Sequence, residues 1–207
     1  MHEETSNSRH DGKSETLMRN TIMRKYDPDI HPETIKMAEY IGAIIAAGSV
    51  HAANEEFCSP IRCRKRHNNR RCTGRIKIAQ RTDTIDWSCT ECETSGVITG
   101  WRGDDCDMSE FAAGSTTAGM LELRLSEDEY KALQSVLMYT GGQEAIIAGA
   151  VWTGEEVLLR ASYTDFDMLA GNLAFEVNHS PNTRRQMVLN DVCDWIEMLL
   201  RRANRQQ

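Results

Sequence analysis

Hydrophobic and polar positions alternate with different periods along the chain, and the changes of period mark the elements. In residues 32–48 the apolar side chains Met37, Ile41, Ile44 and Ile45, with Gly48 beyond them, recur at helical spacing. Pro32 and Glu33 stand where a first helical turn favours a proline and an acid, so the spacing predicts a helix with one apolar stripe. A partner-binding helix is the alternative to a core helix here. From residue 55 the helical period disappears. Short β-compatible runs follow at 75–80, 84–88 and 97–101, separated by polar turns. Residues 103–118, acidic and then rich in Gly, Ser and Thr, read as a linker.

Beyond the linker, residues 120–125 alternate as a strand does. Ser126 with Glu129 three positions on forms a capping box for a helix reaching about Met138, ended by Gly141-Gly142. Residues 144–153 and 157–162 read as a β-hairpin joined by Gly154-Glu155-Glu156. Thr164 and Asp165 cap a helix to about Asn178, Pro181 breaks the chain, and 182–203 form a last helix with Val188, Val192, Trp195 and Leu199 on its stripe. The expected fold class is α+β: an N-terminal helix (30–57), a zinc ribbon of short antiparallel strands (58–106), a linker (107–118) and a β-α-β-β-α-α unit (119–207). Residues 1–29 lack periodicity and read as a disordered or loosely docked tail. His2 and His10 in it read as solvated.

Cysteine usage changes this picture most. Seven cysteines are present, and Cys63, Cys72, Cys89 and Cys92 cluster among basic and turn residues. The N-terminus has no basic region leading into an apolar stretch, and the longest apolar run, residues 40–50, is shorter than the roughly 20 residues of a membrane span. A cytoplasmic protein without membrane attachment is therefore expected, and there metal thiolates are favoured over disulfides. Cys89-x2-Cys92 has the short spacing of a zinc knuckle. Cys63-x8-Cys72 is longer than the usual two to four intervening residues, which leaves Cys58 or His67 as alternatives to Cys63. Four protein ligands leave no open coordination position, so the Zn2+ expected here is structural.

Charge is uneven: residues 1–57 carry a net −4, 58–106 a net +4 and 107–207 a net −7. The only basic segment contains Arg64, Lys65, Arg66, Arg70 and Arg71, five cations within eight residues inside the first cysteine pair. Such a loop can contact phosphates, with Asn68 and Asn69 reaching bases or sugars. The alternative is a solvated loop that offsets thiolate charge. Trp87 and Trp101 are candidates for base stacking or for burial.

Catalytic patterns are sparse. His31-Pro32-Glu33 matches half of a zinc-deaminase signature, but Ser88 precedes Cys89 where the other half needs proline. No P-loop, dinucleotide fingerprint, metalloprotease helix or nucleophile elbow is present. Glu176-Val177-Asn178-His179 has a spacing seen in di-metal bundles but lacks a second copy, and Arg184 and Arg185 follow it. A site using Glu176, His179 and Arg184 or Arg185 is the enzymatic alternative.

Two stretches together resemble a known group. Residues 63–101, with their Cys-x8-Cys-Thr-Gly-Arg-Ile start and IDWSCTECETSGVITGW end, and residues 166–189, with EVNHSPNTRRQ, are similar to uncharacterised bacterial zinc-ribbon proteins in which a ribbon precedes a small α/β unit. That resemblance implies the four ligands and the order of the units, and it carries no assigned activity. Sequence therefore points to a zinc-stabilised binding module whose ribbon contacts nucleic acid or a protein, the basic loop being the element that would meet nucleic acid. A protein-protein adaptor is the second reading, its contact surface formed by the first helix and the acidic C-terminal unit.

Overall fold

The computed structural model of the chain describes residues 31–112, 119–136, 139–179 and 182–205. The expected tail and the Gly/Ser/Thr-rich half of the expected linker lie outside them, as does Met138.

Helix α1, Pro32–Ser49, is capped by His31, whose Nδ1 accepts the Glu33 N–H at 3.2 Å. Its buried face carries Ala38, Ile41, Ile44, Ile45 and Gly48, while Met37, expected on that stripe, is 53% exposed. Gly48 allows a close approach there: a Cβ would lie 3.0 Å from the Ile85 side chain, which would have to give way by a few tenths of an ångström. Six strands follow. They are β1 (Glu56–Arg62), β2 (Arg66–His67), β3 (Arg70–Arg71), β4 (Arg75–Gln80), β5 (Thr84–Cys89) and β6 (Ser95–Thr99). Four of them form an antiparallel sheet in the order β1-β4-β5-β6, and β2 and β3 form a separate hairpin.

β4 and β5 fall where their alternation predicts. β1 was not apparent in the sequence, because Pro60 within it removes a ladder donor. The strand tolerates Pro60 at the sheet edge beside a register shift between Cys58 and Arg62. β6 starts at Ser95, earlier than its apolar run, so Trp101 lies past its end and is 1% exposed. Ile44, Ile45, Phe57, Ile76, Ile78, Ile85 and Ile98 close a core between α1 and this sheet.

Part of the stretch read as linker is structured. Ser109–Ala112 form a helical turn, α2, and the Met108 N–H donates to Ser49 Oγ at 2.9 Å, tying it to α1. Then come β7 (Leu121–Leu125), α3 (Glu127–Gln134), α4 (Gly141–Ala148), β8 (Val151–Trp152), β9 (Val157–Ala161), α5 (Tyr163–His179) and α6 (Thr183–Asn204). The Ser126/Glu129 capping box is formed as expected, and Asn182 caps α6. α5 is capped by Ser162 with Asp165, so its start lies just ahead of the expected Thr164.

The expected strand at 144–153 is largely a helix. Thr140 and Gln143 make a second capping box, and Gly141 opens α4 where the sequence reading had it end α3. A Cβ on Gly141 would collide with the Phe111 ring, which explains the glycine without a turn. Only Val151–Trp152 remain as strand, pairing with β9 around Gly154 at φ +109. The unit is therefore β-α-α-β-β-α-α, with the antiparallel order β7-β9-β8 and a core of Leu125, Leu133, Leu159, Phe166, Leu173, Leu189 and Ile196.

The two sheets meet where β1 lies beside β8. Val151 packs against the first core, and the Arg75 guanidinium stacks on the Trp152 ring at 3.8 Å. His51 reaches across to Gly149 O with its Nε2 at 3.0 Å and stacks on Phe57. Among the described residues no helix is long and apolar enough to cross a membrane.

Candidate metal centre and basic hairpin

The ends of the first sheet bring four thiols together. Cys63 follows β1, Cys72 precedes β4, Cys89 closes β5 and Cys92 lies in the turn before β6. Their sulfurs all lie within 4.8 Å of one another, with Cys63 to Cys92 at 3.8 Å and Cys72 to Cys89 at 3.6 Å. A tetrahedron with metal–sulfur bonds of about 2.3 Å has sulfur–sulfur edges of about 3.8 Å, so the spacing fits one metal ion. No disulfide links them.

Backbone amides point at the sulfurs. Lys65 N–H points at Cys63 Sγ at 3.5 Å, Gly74 N–H at Cys72 Sγ at 3.4 Å and Glu91 N–H at Cys89 Sγ at 3.4 Å. Each is the amide two residues after its cysteine. Thr94 repeats the pattern at Cys92, its Oγ1 standing 3.3 Å from the sulfur. Hydrogen bonds from the Thr94 hydroxyl and amide hold the Cys92 thiol down to about 6, with the His67 side chain a smaller contributor. Burial, aided by the neighbouring thiols, pushes Cys63 up to about 12. Gly74 fits where no other residue does: a Cβ would lie 2.5 Å from Cys89 Sγ and 2.9 Å from Glu91 side-chain carbons.

Of the alternatives to Cys63, neither joins the cluster. Cys58 sits on β1 opposite Lys77, and His67 lies outside the four sulfurs although it touches Cys92. His31 is occupied as the cap of α1 and is not in the cluster either. Cys106 and Cys193 are dispersed: Cys193 Sγ faces Ala170 O within the second core, and burial pushes Cys106 up to about 11.

The long first cysteine spacing is explained by β2 and β3. Arg66 pairs with Arg71 and His67 with Arg70, while Asn68 and Asn69 turn the chain at φ 47 and 62. Two successive residues in the left-handed region make the tight hairpin turn that asparagine tolerates. The Asn-Asn pair was the sequence signal for it. The Cys72 N–H to Lys65 O bond, 2.8 Å, roots the hairpin on the cysteine cluster. Residues 64–71 are all exposed.

Their five cations are not equivalent. Arg64 donates to Lys36 O and lies 5.5 Å from the Tyr40 ring centre, so it fastens α1 to the hairpin's root. Arg66 donates to Asn69 O at 3.4 Å across the tip. Lys65, His67 and Arg71 line an open polar groove together with Glu91, Glu93, Thr94 and Ser95. Trp101 is buried, and Trp87 is half-buried with its edge against Tyr40 and its face over Gly96. Trp101 therefore offers no free ring for stacking, and Trp87 is partly taken up by these contacts.

Glu176, His179, Arg184 and Arg185 do not assemble as a reacting group. Arg185 pairs with Glu176 and donates to Ser135 Oγ at 2.9 Å and Ser135 O at 3.0 Å, fastening α5 and α6 to the end of α3. His179 Nδ1 turns back to Phe175 O at 2.7 Å and its ring stacks on Phe175. Arg184 is exposed.

A charge hub that sequence reading missed lies at the meeting of the two sheets. Glu127 accepts from Arg62 and Arg75, at 2.5 and 2.6 Å, and from Lys131 at 2.9 Å. Its carboxyl is held down to about 2, chiefly by the Arg62 hydrogen bond and further by Lys131 and Arg75. Arg75 is 6% exposed and also donates to Pro60 O. No local motif signals the hub, because the partners lie 52 and 65 residues away in sequence.

Comparison of the chain with protein-family models, with curated proteins and with solved structures finds no match.

Proposed function

We propose that Cys63, Cys72, Cys89 and Cys92 hold one structural Zn2+, and that the zinc-stapled sheet is a ribbon presenting its basic hairpin to nucleic acid. The observation that carries the metal is the sulfur spacing: all four lie within 4.8 Å of one another, and the pairs at 3.8 and 3.6 Å are close to the edge of a tetrahedral site. Amide hydrogen bonds to the sulfurs and the Gly74 clearance support the same reading, because the amides would stabilise thiolates and the missing Cβ lets the two cysteine turns approach closely. When bound, the zinc serves as a cross-link in place of a larger core. With four protein ligands it has no position for a water, so this centre is not a hydrolytic one.

Nucleic acid is the favoured partner because Lys65, Arg66, Arg70 and Arg71 project on a rooted hairpin, while the rest of the chain is acidic. Attraction to a polyanion is then confined to one oriented element. Arg64, bound to α1, positions the hairpin and is not counted among the contacts.

Metal analysis of the purified chain tests the first half: one zinc per chain is expected, falling to none in Cys89→Ser. A ratio far from one, or iron in its place, overturns the assignment. Anisotropy titrations with labelled DNA and RNA over a range of salt test the second half. Four cations give a slope of log affinity against log salt of at most about −3.6 on duplex DNA. Absence of binding, or a slope unchanged in the Lys65, Arg66, Arg70 and Arg71 alanine variant, overturns it.

A further inference from the structure

The shape of the hairpin narrows the nucleic acid that it can read. We propose that the β2–β3 ribbon enters the major groove of double-stranded DNA tip first, bringing Asn68 and Asn69 to the base edges. This rests on the nucleic-acid reading above and specifies its substrate class.

Dimensions argue for a groove. A two-stranded ribbon has its strands about 4.8 Å apart and fits, with side chains, the roughly 12 Å width of the B-DNA major groove. From Lys65 to the turn the ribbon extends about three residues, or roughly 10 Å at strand rise, against a groove depth of about 8.5 Å. The major groove of A-form RNA is deep and too narrow for the same insertion. The wide minor groove of RNA offers no walls for the ribbon to fill.

Charge sets the direction of approach. Cross-strand partners share a face, so Arg66 with Arg71 flank one side of the ribbon and His67 with Arg70 the other. One side therefore offers Arg66 and Arg71 to the phosphates and the other Arg70, while His67 turns to Cys92. At the root, Glu91 and Glu93 line the same polar groove as Lys65 and Arg71. A nucleic acid laid flat along the cysteine turns meets those carboxylates, whereas one that receives the tip avoids them.

The tip is built for edges more than for stacking. Both asparagines are held in the left-handed region, and Arg66 braces Asn69 O. An asparagine amide pairs with adenine N6 and N7 in the major groove. Single-strand binders use aromatic platforms, and here Trp101 is buried and Trp87 is committed to Tyr40 and Gly96.

The test uses the full zinc-loaded chain and anisotropy at low salt with four probes of one sequence: a DNA duplex, the matching RNA duplex, and each DNA and RNA single strand. The DNA duplex is expected to bind at least about tenfold tighter than the other probes, the size of one good base contact. The N68G/N69G variant keeps both positive φ values while removing the amides. It is expected to retain zinc and the salt slope but to lose about tenfold on an adenine-containing duplex and nothing on a duplex of G·C pairs alone. Equal or tighter binding of the RNA duplex or of a single strand overturns the major-groove inference and leaves the nucleic-acid reading standing. An N68G/N69G variant indistinguishable from the parent overturns the role of the tip. Failure to bind any probe overturns both readings.

Discussion

At Gly74 one hydrogen in place of a methyl decides whether the cysteine turns can close. A Cβ there would stand 2.5 Å from Cys89 Sγ. Gly74→Ala is expected to weaken zinc about 10- to 100-fold, the usual effect of disturbing groups that support metal ligands, measured by competition with a chromogenic chelator. Affinity within twofold of the parent would show that the turns move apart freely. Glu127 works at the same scale through charge. Its carboxyl lies well below the ordinary 4.5 because Arg62, Lys131 and Arg75 stabilise the ionised form. A depressed carboxyl contributes stability fully above about pH 4.5 and loses it as the pH falls toward 2. Glu127→Ala leaves the buried Arg75 without its anion and is expected to cost about 3 kcal/mol near neutral pH. Urea midpoints of parent and variant should converge as the pH falls through that window. A constant gap would mean that Glu127 acts by packing instead.

Among the elements, α1 depends on a close approach to the sheet that an apolar stripe alone does not reveal. Gly48 lets the helix sit with Ile85 and Ile78 side chains 3.0 and 3.3 Å from where its Cβ would be. Gly48→Leu is expected to destabilise by about 1–3 kcal/mol through overpacking, seen as a lower urea midpoint with an unchanged slope. A neutral effect would place α1 further from β4 and β5 than the structure has it. What was legible in the sequence follows the same division between local and distant causes. Ser126 and Asn182 announced α3 and α6 because a cap is made within three residues. The alternation in β4 and β5 was equally local. The start of α4 was misread because Gly141 answers to Phe111, thirty residues away, and because an apolar run of alanines and isoleucines has no period that separates helix from strand. β1 was missed since Pro60 argues against a strand until an edge position is known. At the cysteine cluster, Cys89 and Cys92 were plain from spacing. Cys63 was the expected ligand with Cys58 and His67 as alternatives; it is the one that lies with the other three sulfurs, and the hairpin between Cys63 and Cys72 accounts for the eight intervening residues.

Among the described residues the molecule has two hydrophobic cores that stand in different relation to the four clustered cysteines. The core under α1 includes Cys63 and has Cys72, Cys89 and Cys92 packed against it, so the proposed metal ligands are part of its boundary. The second core, around Phe166, Leu173, Leu189 and Ile196, contains none of them. Between the two lie Val151, the Arg75 stack on Trp152, the Glu127 hub and the His51 contact to Gly149. Metal binding in a small site is folding free energy, so chelation should act first on the first core. Hydrogen exchange after a strong chelator is expected to lose protection in β4, β5 and β6 while α5, α6 and β9 keep theirs. Arg75 and Glu127 then lose their geometry, and β8, on the border, should be intermediate. Retention of protection in β4 and β5 would remove the structural role from the four cysteines. Simultaneous loss in both cores would instead mean that the contacts between the sheets bind them into one cooperative unit, with zinc supporting the whole chain.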